Sequence, residues 1–267
     1  MKTMKNHHPH EQRFIRALRY LQSHYTDAID LRHIADAANY SPWHWHRVYR
    51  DLMGETLHTT VKRMRLHRAA WLIAHTDKPV ADIARECGYS NAQSFARSFR
   101  DKYGLSPQQY RTRPLSRHPV RLETRAPVAV VMLAHPGECQ RLGDTFYQME
   151  SLLRLRGADT TRARSFSIHP AIDPYHAEKH VAATVAAAYA AAPLQTGTIA
   201  GGRYAVLRHC GSYADLDRIY DWFAGEWLPA AGLRADERRP VIIEYYDPRP
   251  EIPQQQKRVE LCIPLAE

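Results

Sequence analysis

Trp43, His46, Arg47 and Arg50 stand three, four and seven residues along from the first of them, spacings that place all four on one side of a helix. Their chemistry suits the edge of a nucleic-acid groove: His and Arg donate to base acceptors, and Arg can do so bidentately to guanine. A second set, Asn91, Gln93, Arg97 and Arg100, adds amides whose donor and acceptor match the edge of adenine. A third set is different in kind. Glu244 lies between Ile243 and Tyr245, with Tyr246 next in line, while Tyr213, Tyr220 and Trp222 follow a glycine turn upstream. A carboxylate buried alone in an apolar strand is costly, so Glu244 needs a partner or water. Among aromatic rings it would suit an organic cation. Alternation puts Glu244 and Tyr246 on one face of the strand and Ile243 and Tyr245 on the other.

The first two sets belong to a stretch that occurs twice, at 31–54 and 80–104. Ile34-Ala35 and Tyr40-Ser41 recur as Ile83-Ala84 and Tyr89-Ser90, after which the register slips by one. Arg47, Arg50, Asp51 and Gly54 then recur as Arg97, Arg100, Asp101 and Gly104. So many matches in so short a window indicate a duplicated unit, and each copy reads as a helix-turn-helix. Asp30 is the expected N-cap of the first short helix. Asn39 and Gly88 supply the left-handed residue at the two turns, and Ser41 with Pro42 opens the following helix. Trp45, Val48 and Tyr49 turn inward there, as do Phe95 and Phe99 in the second copy. An amphipathic helix over 10–25 comes before the repeat. Between the copies, 57–76 is free of Pro and Gly and predicts a helix of about 30 Å. That is close to the ~34 Å between successive major-groove faces on one side of B-DNA. Lys62, Arg63, Arg65 and Arg68 on this rod are candidate phosphate contacts, which position rather than read.

Charge separates the two halves. Residues 1–113 carry 19 Lys and Arg against 10 Asp and Glu, and residues 114–267 carry 18 of each. The whole net charge of +9 therefore lies with the repeat, where basic surface would release counterions from phosphates. No apolar run approaches a membrane span, and the N-terminal residues lack a hydrophobic signal core, so a cytoplasmic protein with no membrane partner is expected. Four scattered cysteines have no C-x-x-C spacing and argue for neither a disulfide framework nor a metal site. No cofactor motif is present.

A proline-bearing polar junction at 114–119 marks a domain boundary, giving domains at 8–113 and 120–267. Beyond it the period changes. Strands are expected at 120–123, 128–133, 165–172, 203–209, 241–246 and 259–263, and helices at 142–156 and, from its alanine content, 182–192. His135-x-Gly137, Leu142 and Phe146 recur as His209-x-Gly211, Leu216 and Tyr220. The expected fold is multidomain: an all-α N-terminal domain with two helix-turn-helix units joined by a long helix, then an α+β domain with a pseudo-two-fold internal repeat.

The run DIARECGYSNAQSFARSFRDKYGLSPQQYR, with the earlier Ile-Ala and Tyr-Ser pairs, resembles the DNA-binding domain of AraC/XylS-type transcription regulators over about residues 8–113. The resemblance implies recognition helices in consecutive major grooves, with Trp43, His46 and Arg47 in the first and Asn91, Gln93 and Arg97 in the second. Ala92 and Ala96 stand where some relatives carry longer polar residues, which makes the first helix the stronger reader. Residues 118–265 resemble the GyrI-like effector-binding domain, through Gly211-Ser-Tyr213, Leu216, Tyr220, Trp222, Pro240, Glu244-Tyr-Tyr-Asp-Pro248 and the ending Val259-Glu-Leu-Cys-Ile-Pro264. That resemblance implies a cleft between two halves, lined by aromatics and with Glu244 as the cation-reading group. The chain is thus expected to bind double-stranded promoter DNA as a monomer, to respond to a small cationic or amphipathic effector, and to act with RNA polymerase as an activator. The alternative is a C-terminal hydrolase using Glu244 as base with Tyr213 or Tyr246 as proton donor.

Overall fold

The computed structural model describes residues 7–28, 30–114, 118–135, 141–160, 163–169, 180–184, 189–246 and 252–266. The chain divides into two compact units. One holds Met1–Asp101, Leu105–Arg111 and Tyr147–Thr160, the other Lys102–Gly104, Thr112–Phe146 and Thr161–Glu267.

The first unit is helical. Helix α1 (His7–His24) buries Phe14, Ile15, Ala17, Leu18 and Leu21, the side chains its periodicity brings to one stripe. Helix α2 (Leu31–Ala37) begins at Asp30, whose carboxylate accepts from Arg32 N at 2.8 Å. The turn after it uses Asn39 at φ 54°, and α3 (Pro42–Met53) then starts under Ser41, whose Oγ accepts from His44 N. Gly54 at φ 71° ends α3 in the left-handed conformation that a residue without Cβ adopts freely. Helix α4 (Leu57–His75) is 19 residues long, about 28 Å. Helices α5 (Val80–Glu86) and α6 (Ala92–Tyr103) follow, joined through Gly88 at φ 80°. Helix α7 (Pro107–Thr112) opens with a capping box: Ser106 N donates to Gln109 Oε1 at 3.0 Å, and Gln109 N to Ser106 Oγ at 3.3 Å. Phe14, Trp45 and Tyr49 form one aromatic centre, with ring centroids 5.0 and 5.5 Å apart along the chain of contacts. Phe95, Phe99 and Tyr110 form another.

Helix α8 (Leu142–Leu155) begins in the second unit and passes into the first from Tyr147 onward. Within the first unit Tyr147 and Tyr49 share a hydroxyl contact. Tyr49 donates to Thr60 Oγ1 at 2.6 Å, and Thr60 to Glu55 at 2.7 Å. Arg154 donates to the Leu52 carbonyl at 2.7 Å, and Arg156 pairs with Glu11 at 3.1 Å. Burial lifts the Tyr147 phenol to about 12, keeping it a neutral donor.

The second unit is built on an eight-stranded antiparallel sheet, ordered β1-β6-β8-β7-β3-β4-β2-β5. The strands are β1 (Val120–Arg125), β2 (Val128–His135), β3 (Ser165–His169), β4 (His180–Thr184), β5 (Gln195–Ile199), β6 (Gly202–Cys210), β7 (Val241–Tyr245) and β8 (Arg258–Pro264). Helix α9 (Leu216–Trp222), continued by a π-helical turn Phe223–Trp227, covers one face. There Leu216, Ile219, Tyr220 and Phe223 pack on Leu207, Val241, Ile243 and Leu261. The alternate residues Val206, Ile242, Cys262, Phe166 and Val130 form a second cluster on the opposite face.

The alanine-rich stretch expected to be a helix over 182–192 departs from expectation. His180–Thr184 is β4, a strand between β3 and β2. Ala182 and Ala183 are fully buried, one on each face, so the partner strands on both sides override the helical preference of alanine. Residues 185–188 lie outside the described residues, as do Gly137, Asp247 and Pro248. Strand β5 had no counterpart in the sequence reading.

Candidate functional site

In the first unit the α3 residues separate as their spacing requires. Trp45 and Tyr49 are buried, His46 is half-buried, and Trp43, Arg47 and Arg50 are exposed. Trp43 keeps 71% of its surface in water, with the Arg47 guanidinium 4.7 Å from its ring centroid. A tryptophan this exposed gains nothing from the core, and its stacking partner Arg47 is itself exposed.

On α6, Gln93, Arg97 and Arg100 are exposed while Phe95 and Phe99 are buried. Asn91 is exposed but partly committed: its Oδ1 accepts from Gln93 N at 2.8 Å and Ser94 N at 3.2 Å, which makes it the cap of α6. Asn91 therefore does for α6 what Ser41 does for α3. The one-residue slip between the copies falls at Ser90, in the turn.

The candidate phosphate contacts on α4 resolve differently. Arg63 pairs with Glu55 at 2.7 Å and Arg68 with Glu86 at 2.8 Å. Arg65 donates to three backbone carbonyls, those of Tyr25 (2.6 Å), Asp27 (2.6 Å) and Gly88 (2.9 Å). These three arginines hold the unit together. Lys62 alone of the four is exposed.

In the second unit the aromatic candidates divide between the two sheet faces. Tyr220 is 4% exposed within the cluster under α9, Trp222 packs against it, and Tyr213 meets Tyr245 edge-on at 5.1 Å on that same side. Lys257 Nζ lies 5.1 Å from the centre of the Tyr213 ring. Glu244 and Tyr246 are on the other face, so the structure brings these two together and leaves Tyr213, Tyr220 and Trp222 behind the sheet.

Glu244 is 1% exposed, and it has partners. Arg164 Nε and Nη2 reach its Oε1 at 2.8 and 2.7 Å, and Arg125 Nη1 reaches Oε2 at 3.1 Å. Its cross-strand neighbour is a second buried carboxylate, Glu260. Glu260 accepts from Arg121 Nη2 (2.7 Å), Arg208 Nη2 (2.9 Å), Arg125 Nη2 (2.5 Å) and the Tyr246 hydroxyl (2.9 Å). Burial would raise the Glu260 carboxyl, but these four donors outweigh it and hold the group at about 2. Burial beside Glu244 and Glu260 pushes the Tyr246 phenol above its usual range.

Register shows why distant residues converge here. Arg125 lies opposite Gly202 and Glu260 opposite Arg208, which are six residues apart on β6. In a flat sheet that separation is ~20 Å at ~3.3 Å per residue, beyond the reach of two side chains. The Arg125–Glu260 bond therefore requires this face to curl inward. Arg121, Arg125, Arg164 and Arg208 are the residues the sequence reading missed. A signal did exist: Arg121, Glu123 and Arg125 alternate along β1, an arrangement for one charged face.

Near the start of β6's following turn, burial and the neighbouring His118 lower His209 to about 4, so it is neutral at pH 7. The thiol of Cys262, wholly buried, is raised to about 12.

A helix-turn-helix domain model matches residues 34–113, and a GyrI-like small molecule binding domain model matches residues 118–266. Regulatory protein SoxS of Salmonella typhimurium (strain LT2) is 30% identical over 104 residues, 39% of this chain and 97% of that protein. Regulatory protein PocR of the same organism is 33% identical over 110 residues, which are 41% of this chain and 36% of PocR. Among solved structures, the C-terminal domain of AraT, a response regulator from Geobacillus stearothermophilus, is 31% identical over 39% of this chain and 88% of that one, with a TM-score of 0.36. The chain thus spans about a third of PocR, and each of these matches covers about two fifths of the chain. With both halves matched, the chain belongs to the GyrI-like small-molecule-binding family and carries, ahead of that domain, a helix-turn-helix domain of the AraC/XylS type.

Proposed function

We propose that the protein is a sequence-specific DNA-binding transcription regulator whose C-terminal domain binds a small-molecule effector. The observation that carries the DNA half is the exposed Trp43–Arg47 stack on α3, set in the half of the chain that holds the entire net positive charge. Helices α2 with α3 and α5 with α6 serve as two helix-turn-helix units, and α4 is the spacer between them. Its length of about 28 Å suits adjacent turns of one DNA face. Trp43, His46, Arg47 and Arg50 read bases in one groove. Gln93, Arg97 and Arg100 grip the next, with Asn91 as cap and contact together, and Lys62 meets phosphate. The units require no second subunit to span two grooves, so the protein acts as a monomer on its promoter, in the cytoplasm, with RNA polymerase as partner and activation as outcome.

The domains run 8–113 and 120–267, joined by 114–119. The second domain is read as two related halves. Counted inward from either edge, the sheet gives β5-β2-β4-β3 and β1-β6-β8-β7, so β2-α8-β3-β4 corresponds to β6-α9-β7-β8. The effector side of this domain is the face bearing Glu244 and Tyr246. A hydrolase using Glu244 as base is disfavoured by its burial and by the arginines on both of its oxygens, which stabilise the ionised carboxylate and so weaken it as a base.

Selection of binding sites from a random DNA library at moderate salt, followed by footprinting, tests the reading. A protected region of about two helical turns is expected. Protection that appears without sequence preference would reduce the protein to a non-specific DNA binder.

A further inference from the structure

The effector-side face is built for an anion. Three carboxylates lie on it, Glu123, Glu244 and Glu260, and all are held by arginine. Glu260 already accepts four partners and Glu244 two arginines. Ionised carboxylates offer about four lone-pair sites each and a guanidinium five N–H donors, so four arginines on three carboxylates leave donors in excess. The excess faces water: the Arg164 and Arg208 side chains are 52% and 56% exposed. Among the described residues, Nη1 of each has no acceptor.

Register adds a platform. Ser165 pairs with Tyr245 and Tyr245 with Val259, so one step further along Arg164, Tyr246 and Arg258 stand side by side on this face. The Tyr246 amide donates to the Arg258 carbonyl at 3.1 Å, which carries the pairing through that step. The Tyr246 ring is 45% exposed, an unusual state for a large aromatic, and Arg258 lies 6.0 Å from its centre. An exposed ring between two arginines matches a flat ligand with a negative group: the ring stacks, and the guanidinium edges receive the carboxylate. An organic cation meets the opposite conditions. To reach Glu244 it must displace Arg164 or Arg125 and strand a guanidinium beside others of like charge.

We infer that the second domain recognises a planar aromatic carboxylate, bound over Tyr246 with its carboxylate on the outward edges of Arg164, Arg258 and Arg208. This rests on the reading that the domain binds a small effector, and it fixes the chemical class.

The test uses the full chain with two probes of similar size and opposite charge, 2-naphthoate and 2-naphthylmethyltrimethylammonium, followed by thermal shift and calorimetry. Naphthoate is expected to bind and the ammonium not. Arg164→Gln and Arg258→Gln are each expected to lower naphthoate affinity at least tenfold. Tyr246→Ala should do the same and Tyr246→Phe should not, which separates loss of the ring from loss of the hydroxyl. Arg164→Lys and Arg258→Lys keep the charge and so guard against misfolding; each should still lose several-fold through the missing fork. Naphthoate binding that all these variants leave intact overturns the site. Binding of the ammonium alone, abolished by Glu244→Gln, overturns the anion class while upholding an effector domain. If neither probe binds, nor any of a wider panel of both charges, the inference and the effector reading fall together.

Discussion

Residue by residue, most side chains chosen for their chemistry stand where that chemistry requires exposure. Arg47 is the test case. Arg47→Ala should remove about 1–3 kcal/mol of preference for the selected site while leaving non-specific binding nearly intact. Lys62→Ala should instead weaken binding to all sequences alike and reduce the slope of log affinity against log salt by about 1. Titrations of both variants against selected and scrambled DNA at several salt concentrations distinguish the two roles.

His209 makes a separate prediction about acid. Its folded value of about 4 lies below the ordinary value of an unfolded histidine, ~6.5, so the unfolded chain takes up the proton first. The stability at stake is complete above pH 6.5 and is lost as pH falls toward 4. The cause is local: a buried ring beside His118 and Arg113, against which the Asp215 carboxylate pulls the other way. His209→Gln should flatten the decline in melting temperature between pH 6.5 and 4.5, and an unchanged slope would assign that decline to other groups.

Glu244 shows what sequence can and cannot give at this scale. A carboxylate between Ile243 and Tyr245 announced that it needed a partner. The partners are Arg164, 80 residues away, and Arg125, 119 residues away, and only the order of strands brings them near. Alternation assigned Glu244 and Tyr246 correctly to one face. It said nothing of which helix covers the other, so Tyr213, Tyr220 and Trp222 were grouped with residues from which the sheet divides them.

At the scale of elements, the repeat made most helices legible because capping and turn chemistry are local. Ser41 before Pro42, Asn39 and Gly88 in turns, and Gly54 and Gly104 at helix ends each declare their role within a few residues. Strand β4 was illegible for the opposite reason: alanine takes either conformation, and β3 and β2 decide.

Gly88 is the most demanding of these positions. Its φ is 80°, and a Cβ there would run into the Thr26 carbonyl oxygen and the Arg65 guanidinium, the group that also binds the Gly88 carbonyl. Gly88→Ala is expected to cost about 2–3 kcal/mol by chemical denaturation. The control Gly54→Ala, with open space around the same backbone geometry, should cost about 1 kcal/mol. Equal losses would mean that the close approach to Thr26 and Arg65 carries no energy.

For the molecule as a whole, charge and composition change character at 114–119, and the two family models match residues 34–113 and 118–266. The compact units follow a different line, because α8 gives Leu142–Phe146 to one and Tyr147–Leu155 to the other. The sequence showed α8 as an amphipathic helix without showing that its second half binds Leu52, Thr60 and Glu11. Tyr147→Phe, which removes one hydroxyl from the buried set with Tyr49 and Thr60, is expected to cost about 1–2 kcal/mol in the denaturation of the first unit. An unchanged transition would show that this hydroxyl set contributes nothing.

Modular exchange is where α8 has its practical consequence. A chimera that grafts residues 1–113 onto an unrelated sensor would carry every residue proposed to read bases yet leave Glu11 without Arg156, the Leu52 carbonyl without Arg154, and Met53 without Ser151. The transferable cassette is discontinuous in sequence: Met1–Asp101 and Leu105–Arg111 together with the segment from Tyr147 to Thr160, supplied by a helix that any recipient would have to reproduce.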